Sequence, residues 1–254
     1  MLPPVLLQHD LSFSSDPAES RSLLFHRLLV CWPRTLSLLV TFLPLVAAVP
    51  CKAQVCEPVP GNLVAWWRGE GNADDAVSGN NGTMTGDAVF GYGSVGASFW
   101  LDGNGDGVLI TNVASLQLQD LTIECWIKRA SDSKISFGSG NTAIIFGYGD
   151  GGYSFYLGGD NYFRFGKLGT VAVGSGAYVA DTNFHHVAIT KSGTTLTFYV
   201  DGVAYPGPEF NYSFEFLTPV AIGFRPDNSD NSFNGGIDEL GVYSRALSEA
   251  ELQA

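Results

Sequence analysis

The sequence predicts an all-β fold, and three observations carry that prediction. Glycine is abundant, at 31 of 254 residues, and punctuates short runs rich in aromatic and β-branched side chains. Charged residues make up only 15% of the chain, against roughly a quarter in an average soluble domain, which suggests strands rather than solvated helices. Residues 184–207, FHHVAITKSGTTLTFYVDGVAYPG, read as strand, tight turn, strand, tight turn and a short returning strand. Val187 and Ile189 alternate with His186, Ala188 and Thr190. After Ser192-Gly193, Leu196, Phe198 and Val200 alternate with Thr195, Thr197 and Tyr199, the period of two that marks half-buried strands. Asp201-Gly202 supplies the positive φ values that a two-residue hairpin turn needs. This is an antiparallel meander with one wet face.

The length suits one large β-sandwich or two small domains. Formal charge is −12, and beyond residue 53 there are 22 Asp and Glu against 9 Lys and Arg. Such a surface repels phosphate backbones, which argues against nucleic acid as a partner and favours solubility and cation binding.

The first fifty residues stand apart. Residues 1–22 lack periodicity and contain Pro3, Pro4 and Pro17. Arg27 and Arg34 then precede an apolar run over 36–49 that Pro44 interrupts, too short for the roughly 20 residues needed to span a bilayer. Val46-Ala47-Ala48 and Cys51-Lys52-Ala53 both suit signal peptidase. The pattern is that of a secretory signal peptide and leader over 1–53, with the start codon downstream of Met1 and cleavage between Val49 and Cys56. An uncleaved signal anchor is the rival reading. The expected location is secreted or cell-surface, with no membrane insertion after cleavage. Residues 54–61 form a linker, and 62–254 the folded domain. Cys31 falls in the leader, Cys125 alternates with Ile123 and Ile127 as a buried thiol, and Cys56 has no obvious partner.

Along the domain, 63–67 is the first strand, and 68–86, RGEGNADDAVSGNNGTMTG, is turn chemistry throughout. Further strands end at Asp102-Gly103 and follow over 107–110, 121–129, 143–148, 153–157, 161–166, 219–224 and 235–243. Ser248 and Glu251 form a capping box at the start of a closing helix. LVAWWRGEGNADDAVSGNNGT, SFWLDG, LTIECWIKR, FHHVAITKSGTTLTFYVDG and GGIDELGVYSRALSEAEL occur in the order seen in the bacterial laminin-G-like family, which these stretches closely resemble. Phe184 stands where that family usually has Trp. The resemblance runs from about Gly61 to Ala254. It implies a two-sheet antiparallel jelly-roll sandwich of the concanavalin A-like lectin and laminin G type. Related chains often carry a cysteine shortly after the last helix, so this chain reads as truncated there.

The fold alone does not assign an activity. Some glycan hydrolases on this fold carry an E-x-D-x-x-E or E-x-D-x-E cluster on one strand, and no such spacing occurs here. Glu209 and Glu215 lack the intervening Asp, while Asp238 and Glu239 are adjacent, so on a strand they point to opposite faces. His185-His186 has no matched Ser or Cys nucleophile and reads as structural. A non-enzyme is expected, with a degenerate glycoside hydrolase fragment as one alternative. No EF-hand loop is present. The resemblance implies a structural calcium joining the first-strand region to the last strand, with Glu70 and Asp238 as ligands and an added oxygen near Asp102. The alternative is that Asp102 and Asp238 satisfy turn amides.

Placing the apolar row of each strand inward leaves an outward row of Glu124, Trp126, Lys128, Tyr156, Arg164 and Tyr199. Trp126, Tyr156, Arg164 and Tyr199 are the candidate ligand-binding residues, expected on one face. Rings stack on the C–H faces of sugars while polar neighbours fix hydroxyls. A covering sheet or loop is the alternative, and the loop over 225–231, RPDNSDN, is a second candidate surface. The resulting expectation is a secreted, non-catalytic module that binds carbohydrate or polysaccharide. The rival partner is a cell-surface or matrix protein, contacted by a module of a larger surface protein.

Overall fold

The computed structural model describes residues 59–253. The leader over 1–53 and the first part of the linker, with Cys31, Cys51 and Cys56, lie outside the described residues. The chain enters through β1 (Leu63–Trp67), β2 (Thr83–Thr85), β3 (Val89–Tyr92), β4 (Ala97–Asp102) and β5 (Gly107–Ile110). A 3₁₀ turn (Ala114–Leu116) leads into β6 (Leu121–Arg129), β7 (Ala143–Tyr148), β8 (Tyr153–Leu157), β9 (Tyr162–Lys167) and β10 (Val171–Tyr178). The meander follows as β11 (Phe184–Ser192), β12 (Thr195–Val200) and β13 (Val203–Pro206). The chain closes with β14 (Val220–Ile222), β15 (Asn234–Tyr243) and a single helical turn, α1 (Glu249–Leu252).

These strands form two antiparallel sheets. The first runs β13-β12-β11-β6-β15-β4-β3, with β1 also paired to β15, and the second runs β10-β9-β8-β7-β14-β5-β2. The chain crosses between sheets repeatedly, as at β2 to β3 and at β4 to β5, which is the winding of a jelly roll. Inner faces meet in one core: Ile123, Ile127, Phe198 and Ile237 from the first sheet, Ile110, Phe146, Phe155, Phe165 and Ile222 from the second. Aromatic rings bridge the layers, with Trp67 5.6 Å from Phe146 and Phe155 6.5 Å from Phe198, centroid to centroid. Each such side chain withdrawn from water contributes about 1.5–3 kcal/mol, so these rings hold the sheets face to face. Cys125 is buried in this core as a free thiol.

The meander forms as its alternation requires. Val187 pairs with Val200 and Ile189 with Phe198 across β11 and β12, and Asp201 and Gly202, which join β12 to β13, take φ of 50° and 76°. Three strands are not legible in the sequence. Thr83–Thr85 sits inside turn chemistry, β3 exposes most of its side chains at a sheet edge, and β10 alternates valine with small residues at the opposite edge. None of the three offers the half-buried apolar pattern by which strands are recognised.

One expectation about exposure is corrected. Tyr199 does point away from the core, as its parity demands, yet it is only 6% exposed. It joins Ala188, Tyr243, Leu247 and Leu252 in a second apolar cluster on the outer face of the first sheet. The C-terminal segment makes that cover. Its capping box forms as expected between Ser248 and Glu251. The Thr122 hydroxyl donates to the Arg245 carbonyl and accepts from the Leu247 amide, both at 2.8 Å, tying the segment across β6.

Candidate functional site

Beside that cover, the outer face of the first sheet stays open as a groove of about 660 Å³. Its floor comes from alternation: Ile123, Cys125 and Ile127 of β6 face the core, so Glu124 and Trp126 face outward. The pairing of β11 with β6 sets His186 beside Trp126, their rings 5.4 Å apart and edge to face. On β1, Trp67 fills the core and its neighbour Trp66 faces the groove. Glu124 is held by two partners: Tyr243 donates its hydroxyl to Oε1 at 2.8 Å, and His186 Nε2 lies 3.4 Å from Oε2. Across the groove, the Trp66 indole N–H donates to Glu239 Oε2 at 2.6 Å, and the Arg68 guanidinium lies over the Trp66 ring at 5.5 Å.

Glu239 reaches this position through a backbone irregularity. Asp238 pairs with Trp126 and Gly241 with Glu124, so β15 carries a bulge between them, with Glu239 at φ of 51°. A bulge interrupts the two-residue alternation. Ile237 and Leu240 both face the core, and Asp238 and Glu239 therefore share the outer side. The expectation that they point to opposite faces is corrected. Burial raises the Glu239 carboxyl above its ordinary range; the Trp66 hydrogen bond opposes this and the Asp238 charge adds to it.

The calcium candidates divide. Glu70 and Asp238 converge on the turn between β3 and β4. Glu70 Oε2 accepts from the Ala97 amide at 3.2 Å and Asp238 Oδ2 from the Val95 amide at 3.0 Å. Gly96, at φ of 59°, lets the turn lie against the Glu70 carboxylate, where a Cβ would collide. Asp238 is fully buried and its Oδ1 has no hydrogen-bond partner. Burial raises its carboxyl, partly offset by the Val95 and Ser94 amides, and the Glu70 charge raises it further. A buried orphaned oxygen beside a second carboxylate fits a hard cation. Asp102 is not part of that pair. It lies with Asp87 and Asp106, one carboxylate oxygen of each within 4.8 Å of the others.

The remaining ligand candidates do not share a face with Trp126. Tyr156 and Arg164 are direct cross-strand partners on β8 and β9 of the second sheet, so the single four-residue face is corrected to two faces on two sheets. Tyr156 lines a smaller hollow of about 250 Å³ with Lys167 and Thr170. The Arg164 fork is taken by Asp160, at 2.8 and 2.5 Å, which holds that carboxyl down at about 2. In the loop over 225–231, Arg225 grips Asp227 in the same way, at 2.5 and 2.7 Å. His185 is held between Asp201 and Asp181, at 2.7 and 3.0 Å, as a structural histidine. Trp66, His186 and Glu239 lie in the groove outside the ligand set that the sequence suggests; alternation across Trp66-Trp67 is the available signal for the first.

Two antiparallel sheets packed face to face, with the chain crossing repeatedly between them, define the class of fold as a jelly-roll sandwich. The chain belongs to the concanavalin A-like lectin/glucanases superfamily, whose Laminin G-type family model matches residues 102–253. Solved structures of the same kind include domain 4 of AbnA, a GH43 extracellular arabinanase from Geobacillus stearothermophilus, in complex with arabinotriose. It is 20% identical with a TM-score of 0.61, over 76% of this chain and 97% of that one. A mutant Trypanosoma rangeli sialidase displaying trans-sialidase activity is 15% identical with a TM-score of 0.59, over 78% and 33%. The binding domain of Paraclostridial Mosquitocidal Protein 1 is 17% identical with a TM-score of 0.58, over 76% and 51%. At these identities the likeness establishes the fold. A search of curated proteins finds no match. Among the described residues no helix is long and apolar enough to cross a membrane.

Proposed function

We propose that the chain is a non-catalytic carbohydrate-binding module acting outside the cell, and that the groove over β1, β6, β11 and β15 takes a neutral glycan. The observation that carries the reading is the pairing of Trp66 and Trp126 with Glu239 and Glu124 in one groove. Indole faces stack on the C–H faces of a sugar ring, and each carboxylate keeps acceptor capacity for hydroxyls. Side chains already held by partners lose little freedom on binding, which favours affinity. Among the described residues lining the groove, Glu124, Asp201, Glu239 and Glu251 are acidic and His186 is basic, with Arg68 over the Trp66 ring and Arg245 paired to Glu251, so carboxylates outnumber cations. Their field disfavours sialic and uronic acids. The arabinotriose complex of the arabinanase domain supports the same ligand class.

A calcium ion belongs to this reading. Glu70 and Asp238 would hold it, and it would supply the counter-charge that Asp238 lacks while bracing the bulge that orients Glu239. The deciding experiment is a binding screen of the secreted protein on neutral, sialylated and uronate-containing glycans, with Trp126→Ala alongside and a reducing-end assay on every binder. Neutral glycans should be retained, Trp126→Ala should bind about 30-fold more weakly, the equivalent of about 2 kcal/mol for a buried aromatic contact, and no new reducing ends should appear. Unchanged binding by Trp126→Ala contradicts the site, and release of reducing ends contradicts the non-catalytic reading.

A further inference from the structure

We infer that Asp87, Asp102 and Asp106 form a second calcium site, separate from Glu70 and Asp238, that ties two sheet-to-sheet connections together at one end of the sandwich. Asp87 lies in the connection from β2 to β3, and Asp102 to Asp106 span the connection from β4 to β5. One carboxylate oxygen from each lies within 4.8 Å of the others. Both connections carry the chain from one sheet to the other, so an ion here cross-links the layers where few strand hydrogen bonds do.

The local sequence has calcium-loop chemistry. Asp102-Gly103-Asn104-Gly105-Asp106-Gly107 repeats the D-x-N-x-D-G half of a calcium loop, with oxygens at the first, third and fifth places and glycine at the sixth. The twelfth place, where such loops carry a bidentate Glu, is Val113. Asp87, arriving from a different connection, supplies the carboxylate that this half-loop lacks. Gly86 allows the approach: at φ of 67° it lies so close that a Cβ would stand 2.9 Å from the Asp106 Cα.

A second observation points to a ligand. Asp106 is 0% exposed, and while its Oδ2 accepts the Asp102 amide at 2.7 Å, its Oδ1 has no hydrogen-bond partner. A buried carboxylate oxygen without a partner is costly. Among the described residues, none of the three carboxylates is ion-paired with a Lys, Arg or His. A cation relieves both conditions together. The donors are all oxygens, with Asn104 and water available to complete the shell because Asp87 and Asp102 are exposed, which suits calcium over zinc or copper. Order at this site passes outward, since the Gly103 carbonyl accepts from the Phe137 amide at 2.9 Å and the Gly105 amide donates to the Ser232 hydroxyl at 2.8 Å.

The test is calorimetric titration of chelator-treated full chain with calcium chloride, for wild type, Asp87→Asn, Asp106→Asn and Glu70→Gln. Amide hydrogen exchange over residues 102–107 is followed in the same samples. Asp87→Asn, on an exposed side chain, should weaken one calcium-binding step at least tenfold and abolish the calcium-dependent slowing of exchange over 102–107. Asp106→Asn should do the same, and Glu70→Gln should leave that step intact. The inference is overturned if Asp87→Asn titrates as wild type does. It is equally overturned if wild type binds no calcium, or if Glu70→Gln alone removes every calcium-binding step. None of these readouts depends on a glycan, so failure here and failure of the carbohydrate reading are separable.

Discussion

Replacing Tyr199 with alanine tests how the outer face of the first sheet is closed. The side chain is 6% exposed and packs with Ala188, Tyr243, Leu247 and Leu252. A large aromatic buries about 150 Å² or more, and at about 25 cal/mol per Å² its removal forfeits close to 4 kcal/mol of transfer free energy. The cover is one segment and a single helical turn, which can settle partly into the space, so the expected loss is about 3 kcal/mol. For a sandwich of this size that lowers the melting temperature by about 6–12 °C. Calorimetric unfolding of wild type, Tyr199→Ala, Leu247→Ala and the double variant measures it. The two single losses should fail to add by more than about 0.5 kcal/mol, because both side chains belong to one small cluster. A Tyr199→Ala variant within about 0.5 kcal/mol of wild type, the range of an exposed substitution, would refute the reasoning and leave the C-terminal segment off this face.

Three further outcomes are expected. His185 is partly buried, which opposes protonation, but the Asp201 and Asp181 carboxylates outweigh this and raise its imidazole above the ordinary 6.5. The protonated ring therefore stabilises the fold below that value, and the contribution fades as pH rises through the raised one. The stability gap between wild type and His185→Gln should shrink as pH rises from below the ordinary imidazole value through the raised one, and a gap that widens contradicts the ion pairs. Burial, reinforced by the Glu124 and Asp238 charges, pushes the Cys125 thiol well up, so mass spectrometry should find it alkylated only in denaturant; rapid native labelling contradicts the core placement. With calcium in excess, wild type should melt higher than in chelator by an amount that grows with calcium concentration, and Glu70→Gln should show a smaller rise; an equal rise in both argues against an ion between Glu70 and Asp238.

Much of the fold is legible in the sequence because its evidence is local. Leu196, Phe198 and Val200 announce their face within six residues, and Asp201-Gly202 announces the turn. Features that depend on distant partners are not legible. The parity of Tyr199 is in the sequence, but its cover comes from Leu247 and Leu252, some fifty residues later on. The bulge at Glu239 has no local signal, since the residue taking φ of 51° is a glutamate rather than a glycine or asparagine. Trp126, Tyr156, Arg164 and Tyr199 all have outward parity, yet parity does not say which of two sheets a strand joins. The groove needs Trp66 from the first strand and Glu239 from the last, a meeting that only the closed sandwich produces.

The placement of the carbohydrate site on the first sheet is tested most directly by paired binding isotherms. Trp126→Ala removes a ring from the groove, whereas Tyr156→Ala removes one from the outer face of the opposite sheet. With the neutral glycan that wild type retains best, Trp126→Ala should weaken binding about 30-fold and Tyr156→Ala less than about twofold. The reverse order, with Tyr156→Ala crippled and Trp126→Ala unaffected, would contradict the account and move the site to the second sheet.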